Sequence, residues 1–247
     1  MGLFSSFKEY KSGRQEKRLH RAEAVITNPK AIKDDRWSMI MFLRDLGEVE
    51  KAVPILLKRF EYSLEHGIND TREKEAVLEA ITSYGTDALS VVREYLLVTN
   101  RIAWPIKTLK ALGDEDQVVE VLKSALDFGD IAFDQAKVDK NYDILCYLID
   151  YPVPGFAEKL AHFLNDNDER VRYAAAEVLI EQQDAEVPGY LEHFLSDHSS
   201  ENTRIRQAVL DAFLEKKWQL SKPEVFPNQQ VDDRIFVTKR QELERRG

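Results

Sequence analysis

Apolar residues recur at spacings of three and four along most of the chain, the pattern of helices that bury one face. The clearest example is the segment 168–179, whose apolar stripe consists of Val171, Ala174, Ala175, Val178 and Leu179. The small alanines allow a second helix to approach closely. Asp168 precedes the stripe, and we expect its side chain to cap the N-terminus of this helix.

The same helical face occurs six times. Each copy can be aligned on one apolar anchor residue, and the residues three and four positions before the anchor are almost all apolar. A turn follows, and a second apolar helix begins after it in the first five copies. Repeated helix pairs predict an α-solenoid, because one pair cannot bury its apolar face alone. The anchors are Leu43, Ile81, Leu109, Leu148, Leu179 and Phe213.

Two stretches carry a family resemblance. They are residues 168–179 followed by Val187-Pro188, and residues 43–57 with a Leu-Gly turn and a Val-Pro helix start. Both resemble the HEAT repeat family, especially the phycobilisome-lyase-type HEAT-like repeats. The resemblance covers roughly residues 35 to 217 and implies an all-α fold, an α-solenoid of about six HEAT-like helix pairs. Asp and Arg residues often form a ladder of contacts along such arrays. In this sequence the resemblance implies that Asp168, Arg172 and Arg206 form that ladder.

The copies are not uniform, and the two ends of the chain leave the pattern. Pro105 falls inside the third copy, so we expect a kink or a late helix start there. We predict a basic N-terminal helix or cap over 1–33, the repeat array over 34–217 and a C-terminal tail over 218–247. Within the tail, the strand-like run 234–238 predicts a small β-hairpin with 224–231.

The net charge of -9 is unevenly distributed. Residues 114–202 contain six basic and 21 acidic side chains, whereas residues 1–24 contain six basic and three acidic ones. An acidic surface disfavours a phosphate backbone, so we expect no nucleic-acid partner, and it favours a protein partner with a basic segment. The candidate partner-binding residues, most of them on or near second helices, are Glu120, Asp127, Glu158, Glu186 and Glu192.

Residue patterns for catalysis are sparse. The five histidines form no metal-binding pair, and no phosphate-binding loop is present. We therefore assign no catalytic, cofactor or metal residues and expect a non-catalytic protein-binding scaffold or adaptor, with no cofactor. A single cysteine, Cys146, and the lack of a secretory signal or a membrane-spanning stretch predict a cytoplasmic protein. The tryptophans Trp37, Trp104 and Trp218 are predicted to lie in the core.

Two other classes of function remain open. Some HEAT-like proteins are DNA glycosylases or bilin-lyase subunits; for a glycosylase, Trp104 and Asp114 are the first residues to inspect. The other alternative is a peripheral membrane adaptor, in which residues 1–24 rest on an anionic surface through Leu3, Phe4, Phe7 and the basic residues that follow.

Overall fold

The computed structural model describes residues 3–113, 115–129 and 134–245, leaving out the side chains of 3–12, 115 and 116. This part of the chain is mostly helical, with twelve α-helices and one small C-terminal sheet. The helices belong to two compact units, Met1–Ala125 and Leu126–Gly247. The predicted helical class is confirmed at this level, while the predicted boundaries 1–33, 34–217 and 218–247 stay a prediction.

In the first unit the helices alternate between two rows. One row consists of α2, α4 and α6, each packed on the next, and the other of α1, α3, α5 and α7. Successive helices along the chain therefore lie in different rows, so each turn joins one row to the other. The helices are α1 (Leu3–Ile26), α2 (Lys33–Arg44), α3 (Val49–Leu57), α4 (Gly67–Thr82), α5 (Leu89–Val98), α6 (Ala103–Ala111) and α7 (Glu115–Ala125).

The second unit is built around one central helix, α10, which packs on α8 and α12 and also contacts α9 and α11. The two shorter helices each continue into a 3-10 turn, over Phe163–Asn165 and Glu192–Ser196. The helices are α8 (Gln135–Leu148), α9 (Ala157–His162), α10 (Glu169–Glu181), α11 (Val187–Leu191) and α12 (Thr203–Lys216).

The repeat frame of the sequence matches the frame of the helices. All six anchor residues are 0% exposed, and each lies near the end of an even-numbered helix. Gly47 and Gly113 follow α2 and α6 with φ of +73° and +81°, backbone angles that favour glycine after a helix end. α6 begins at Ala103, so Pro105 lies in its first turn, where no helical hydrogen bond is lost. The irregularity predicted at Pro105 is thus a late start.

The tail after α12 forms a three-stranded antiparallel sheet in the order β1-β2-β3, with β1 (Gln230–Asp232), β2 (Ile235–Val237) and β3 (Leu243–Arg245). The predicted hairpin corresponds to β1 and β2. The third strand was not predicted, because Leu243 is its single buried residue and its other two side chains are charged and exposed.

The prediction that all three tryptophans lie in the core is wrong for Trp37, which is 40% exposed on α2. Trp104 is half-buried and stacks on Phe60, with 5.7 Å between ring centroids. Trp218, also half-buried, meets Phe213 edge to face at 5.3 Å. These two rings therefore contribute to packing, as expected.

Candidate functional site: an acidic cleft in the second unit

The turns that follow α8 and α10 enclose a cleft of about 730 Å³. None of the nine residues that line it is basic, and three of them are carboxylates. Tyr151 and two prolines add apolar surface. The cleft is therefore an acidic cavity with an aromatic wall, and its carboxylates are Asp150, Glu181 and Asp184.

Gln182, which is 6% exposed, fixes the two turns against each other. Its side-chain oxygen accepts a hydrogen bond from the Val153 amide at 2.7 Å, and its side-chain nitrogen donates to the Tyr151 carbonyl at 3.4 Å. The Asp184 carboxylate accepts from the Gly155 amide at 3.3 Å. Because side chains of the second turn bind the backbone of the first, the shape of the cleft is defined by the fold.

The position of the cleft reinforces its negative charge. The C-terminal end of a helix carries a partial negative charge, and a carboxylate there is unfavourable by roughly 0.3–1 kcal/mol. Asp150 lies two residues after the end of α8, and Glu181 is the last residue of α10. Within the described ranges, no Lys or Arg forms an ion pair with Asp150, Glu181 or Asp184. A bound cation could therefore offset this repulsion.

Two of the predicted partner-binding residues follow shortly after the lining residues Pro154 and Asp184 in the chain. Glu158 is in the first turn of α9 and Glu186 directly precedes α11, and both are exposed. Burial raises the pKa of the Tyr190 phenol, and the charges of Glu186 and Glu158 raise it further, so both carboxylates lie within electrostatic reach of that ring. We call the acidic face the surface formed by Asp150, Tyr151, Glu158, Glu181, Asp184, Glu186 and Tyr190.

Asp127 and Glu120 lie elsewhere and have partners of their own. The Asp127 carboxylate accepts from the Gly129 amide at 2.9 Å and pairs with Lys137 at 3.2 Å. The bond from Gly129 is the main reason that the pKa of Asp127 is lowered. Glu120 is exposed on α7, in the first unit, and pairs with Lys123 at 2.9 Å. Asp127 thus stabilises a turn, and neither residue belongs to the acidic face.

Glu192 requires a correction, because it is 7% exposed and does not lie on a partner-facing surface. Its carboxylate accepts hydrogen bonds from the amides of Ser221 and Lys222, each at 2.8 Å, and from the Ser221 hydroxyl. Its role is to attach the C-terminal tail to the last helix pair.

Asp168 caps α10 as expected, accepting from the Arg170 amide at 2.8 Å. Its ionic partner is the Arg170 side chain, which also binds Asp139 on α8 at 2.8 Å. These charged contacts explain why the pKa of Asp168 is lowered, the Arg170 hydrogen bond being the largest cause. A charged ladder therefore joins α8 to α10, but Arg170 takes the place expected for Arg172.

Arg172 and Arg206 bind backbone and amide groups of the turns between repeats. Arg172 donates to the Asp166 carbonyl at 2.9 Å and to the Asn202 side chain at 3.2 Å, linking the turns before α10 and α12. Arg206 donates to the Leu195 carbonyl at 3.1 Å. Both arginines therefore stabilise the joins between repeats.

The residues named for the alternative functions give no second site. Trp104 packs on Phe60, while Asp114 and the side chains of Leu3, Phe4 and Phe7 lie outside the described residues. No described helix has the length and apolar character needed to cross a membrane. Three or more potential metal ligands do not cluster anywhere in the described chain. Cys146 is half-buried, and burial raises the pKa of its thiol.

Sequence reasoning missed the three carboxylates of the cleft, although a signal was present. Asp150 and Glu181 each lie two residues after an anchor, Leu148 and Leu179, and so occupy the same position in consecutive repeats. Comparison of the chain with protein-family models, curated proteins and solved structures gives no match. The candidate site is therefore defined by its own geometry and charge.

Proposed function

We propose that the chain is a non-catalytic scaffold or adaptor that binds a basic segment of a partner protein on the acidic face. The observation that carries the proposal is the set of unpaired carboxylates around two helix ends. A lysine or arginine in the cleft would meet Asp150, Glu181 and the helix-end carbonyls together.

We further propose that the helix pairs form a HEAT-like α-solenoid. Within each unit, alternate helices pack on one another, as stacked two-helix repeats require, and this supports the proposal. In such an array the second helices line the concave surface. Glu158 belongs to a second helix and Glu186 directly precedes one, so the acidic face would extend from the cleft onto that surface.

The charge of the acidic face favours several modest contacts with an extended segment. An exposed ion pair contributes about 0.2–1 kcal/mol, so one lysine alone binds weakly. A segment with several basic residues adds such contributions, and its association rate rises with the negative potential of the surface. We therefore expect binding to weaken strongly as the salt concentration increases.

The test is fluorescence anisotropy of a short labelled Lys/Arg peptide with the full chain at about 0.05 and 0.15 M salt. The variant Asp150→Lys/Glu181→Lys replaces attraction by repulsion at two positions, and we expect its Kd to rise about tenfold or more. The matched control is Glu201→Lys/Glu224→Lys, which makes the same change of net charge at exposed positions of the same unit.

We expect the control to weaken binding by less than about threefold, a screened effect of net charge alone. Equal losses in the two variants would contradict a specific site, because the peptide would then be responding to overall charge. Binding that is absent from the unsubstituted chain at low salt would reject the proposal outright.

A further inference from the structure

A second pocket, of about 570 Å³, lies in the first unit where α2 and α4 begin. Its charged lining is mainly basic, with Glu65 as the one acidic member. Asp34 and Asp35 are in the first turn of α2 but do not line the pocket. The basic lining residues are Lys30, Lys33, Arg36 and His66.

Behind this pocket lies a buried network of five charged side chains, none more than 8% exposed. Glu73 accepts from Arg36 at 2.9 Å and from Arg59, and Arg59 also pairs with Asp70 at 2.7 Å. Lys74 pairs with the same aspartate at 2.7 Å. Three cations face two carboxylates, which leaves one positive charge without a counter-ion in a poorly hydrated region, where such a charge is unfavourable.

Arg36 connects the network to the pocket. Its Nε donates to Glu73, and its Nη1 donates to the carbonyls of Pro29 and Ala31. Its Nη2 donates to none of the described atoms. No fully buried side-chain nitrogen in the described residues lacks a partner, so Nη2 is not fully buried, although the Arg36 side chain as a whole is only 5% exposed. Arg36 therefore lines the pocket and keeps one donor without a partner among the described atoms.

Two helix starts lie at the edge of the same pocket. Neither α2, beginning at Lys33, nor α4, beginning at Gly67, has a side-chain cap hydrogen bond. Their first amides point out of the helix ends, where the partial charge is positive. Lys33 Nζ lies 3.4 Å from Asn69 Oδ1, which brings the two helix starts together.

We propose that this pocket binds the phosphate group of a phosphate ester. The phosphate oxygens would accept hydrogen bonds from Arg36 Nη2, the two lysines and the helix-start amides, and they would supply the negative charge that the buried network lacks. The pocket is larger than a bare ion needs and falls within the size range of small-ligand sites, about 300–1,000 Å³. It thus has room for the group that carries the phosphate.

The phosphate could belong to a free metabolite or to a phospholipid head group. Ile32 and Ile68 lie next to the two helix starts and are 69% and 75% exposed, which is the placement that contact with acyl chains requires. Both sources offer the same group to the same donors. The proposal does not depend on the acidic face.

The experiment uses the full chain with two probes. Glycerol 3-phosphate is titrated and followed by the thermal midpoint, since a ligand of the folded state raises it in a saturable way. Sedimentation compares vesicles of phosphatidylcholine with vesicles that also contain phosphatidic acid. The pocket variant is Lys30→Ala/Lys33→Ala, and the control is Arg72→Ala/Arg101→Ala, with the same charge change at exposed sites of the same unit.

We expect saturable binding of at least one probe, weakened about tenfold in the pocket variant and less than about twofold in the control. Binding of glycerol 3-phosphate supports a free ester, and sedimentation that requires phosphatidic acid supports a head group. Failure of both probes to bind at millimolar concentration, or equal losses in the two variants, would overturn the proposal.

Discussion

Replacing Glu73 by glutamine tests the buried charge network most directly. Glutamine keeps the size of the side chain, so the change removes charge without opening a cavity. The amide would face the guanidinium donors of Arg36 and Arg59 with at most one good acceptor. Three buried cations would then share the single carboxylate of Asp70.

The expected loss is large because Glu73 is 2% exposed and both of its arginine partners are buried. Removing one partner of a buried ion pair costs about 3–5 kcal/mol, mostly because the other charge remains buried. The control is Glu75→Gln, an exposed position on the same helix, where we expect a change within about 0.5 kcal/mol.

The assay is urea unfolding followed by tryptophan fluorescence in a Trp218→Phe background. Both remaining tryptophans, Trp37 and Trp104, belong to the first unit, so the signal reports on its unfolding. We expect the midpoint of Glu73→Gln to fall well below that of the control. Arg36 belongs to α2 and Glu73 to α4, so their ion pair joins the two helices. Overlapping curves for the two variants would refute the expectation that this buried network stabilises the first unit.

Three further predictions concern the second unit and the effect of acid. Asp168→Ala removes the cap of α10 and should lower the free energy of unfolding by about 1 kcal/mol, measured by urea titration. Glu192→Gln puts an amide opposite the backbone donors of Ser221 and Lys222, and limited proteolysis should release the tail faster. Burial would raise the pKa of Asp70, but hydrogen bonds from Lys74 and Arg59 outweigh it and lower that pKa. The contribution of the Asp70 carboxylate to the free energy of unfolding is complete above its ordinary pKa of about 4, and it is lost as the pH falls through the lowered pKa. The variant Asp70→Asn should therefore show a smaller decline of the free energy of unfolding in acid.

The helices could be predicted from the sequence because their apolar residues repeat at helical spacing and each anchor is buried. The glycines after α2 and α6 and the cap at Asp168 are local signals as well, which depend on a few neighbouring residues. The burial of Trp37 was predicted wrongly because helical spacing does not show whether a neighbouring element covers the edge of a helix face. The strand β3 was not predicted because its three residues, of which only Leu243 is buried, show no alternation of apolar and polar side chains.

The charged residues were harder to assign, because their roles depend on contacts between distant segments. Arg59 and Glu73 look like solvated residues in the sequence, yet they meet in the core of the first unit. Glu192 looks like a surface carboxylate, but its partners lie 29 and 30 residues further along the chain. Glu158 and Glu186 are exposed, as expected from their positions near the starts of second helices.

The location of the acidic cleft follows from the repeat. Packing α8 on α10 brings the ends of two consecutive first helices together, so acidic residues at the same frame position add their charges in one place. In the first unit this addition does not occur: Asp45, two residues after Leu43, pairs with Arg44 at 2.8 Å, and the equivalent position after Ile81 is Ser83. In the second unit Glu215 occupies the same position after Phe213, on α12. An isolated acidic residue at a helix end is easily neutralised by a neighbour. Two successive ones without a counter-ion create a negative potential that a basic ligand can relieve, and this is why the cleft is the strongest candidate for a partner site.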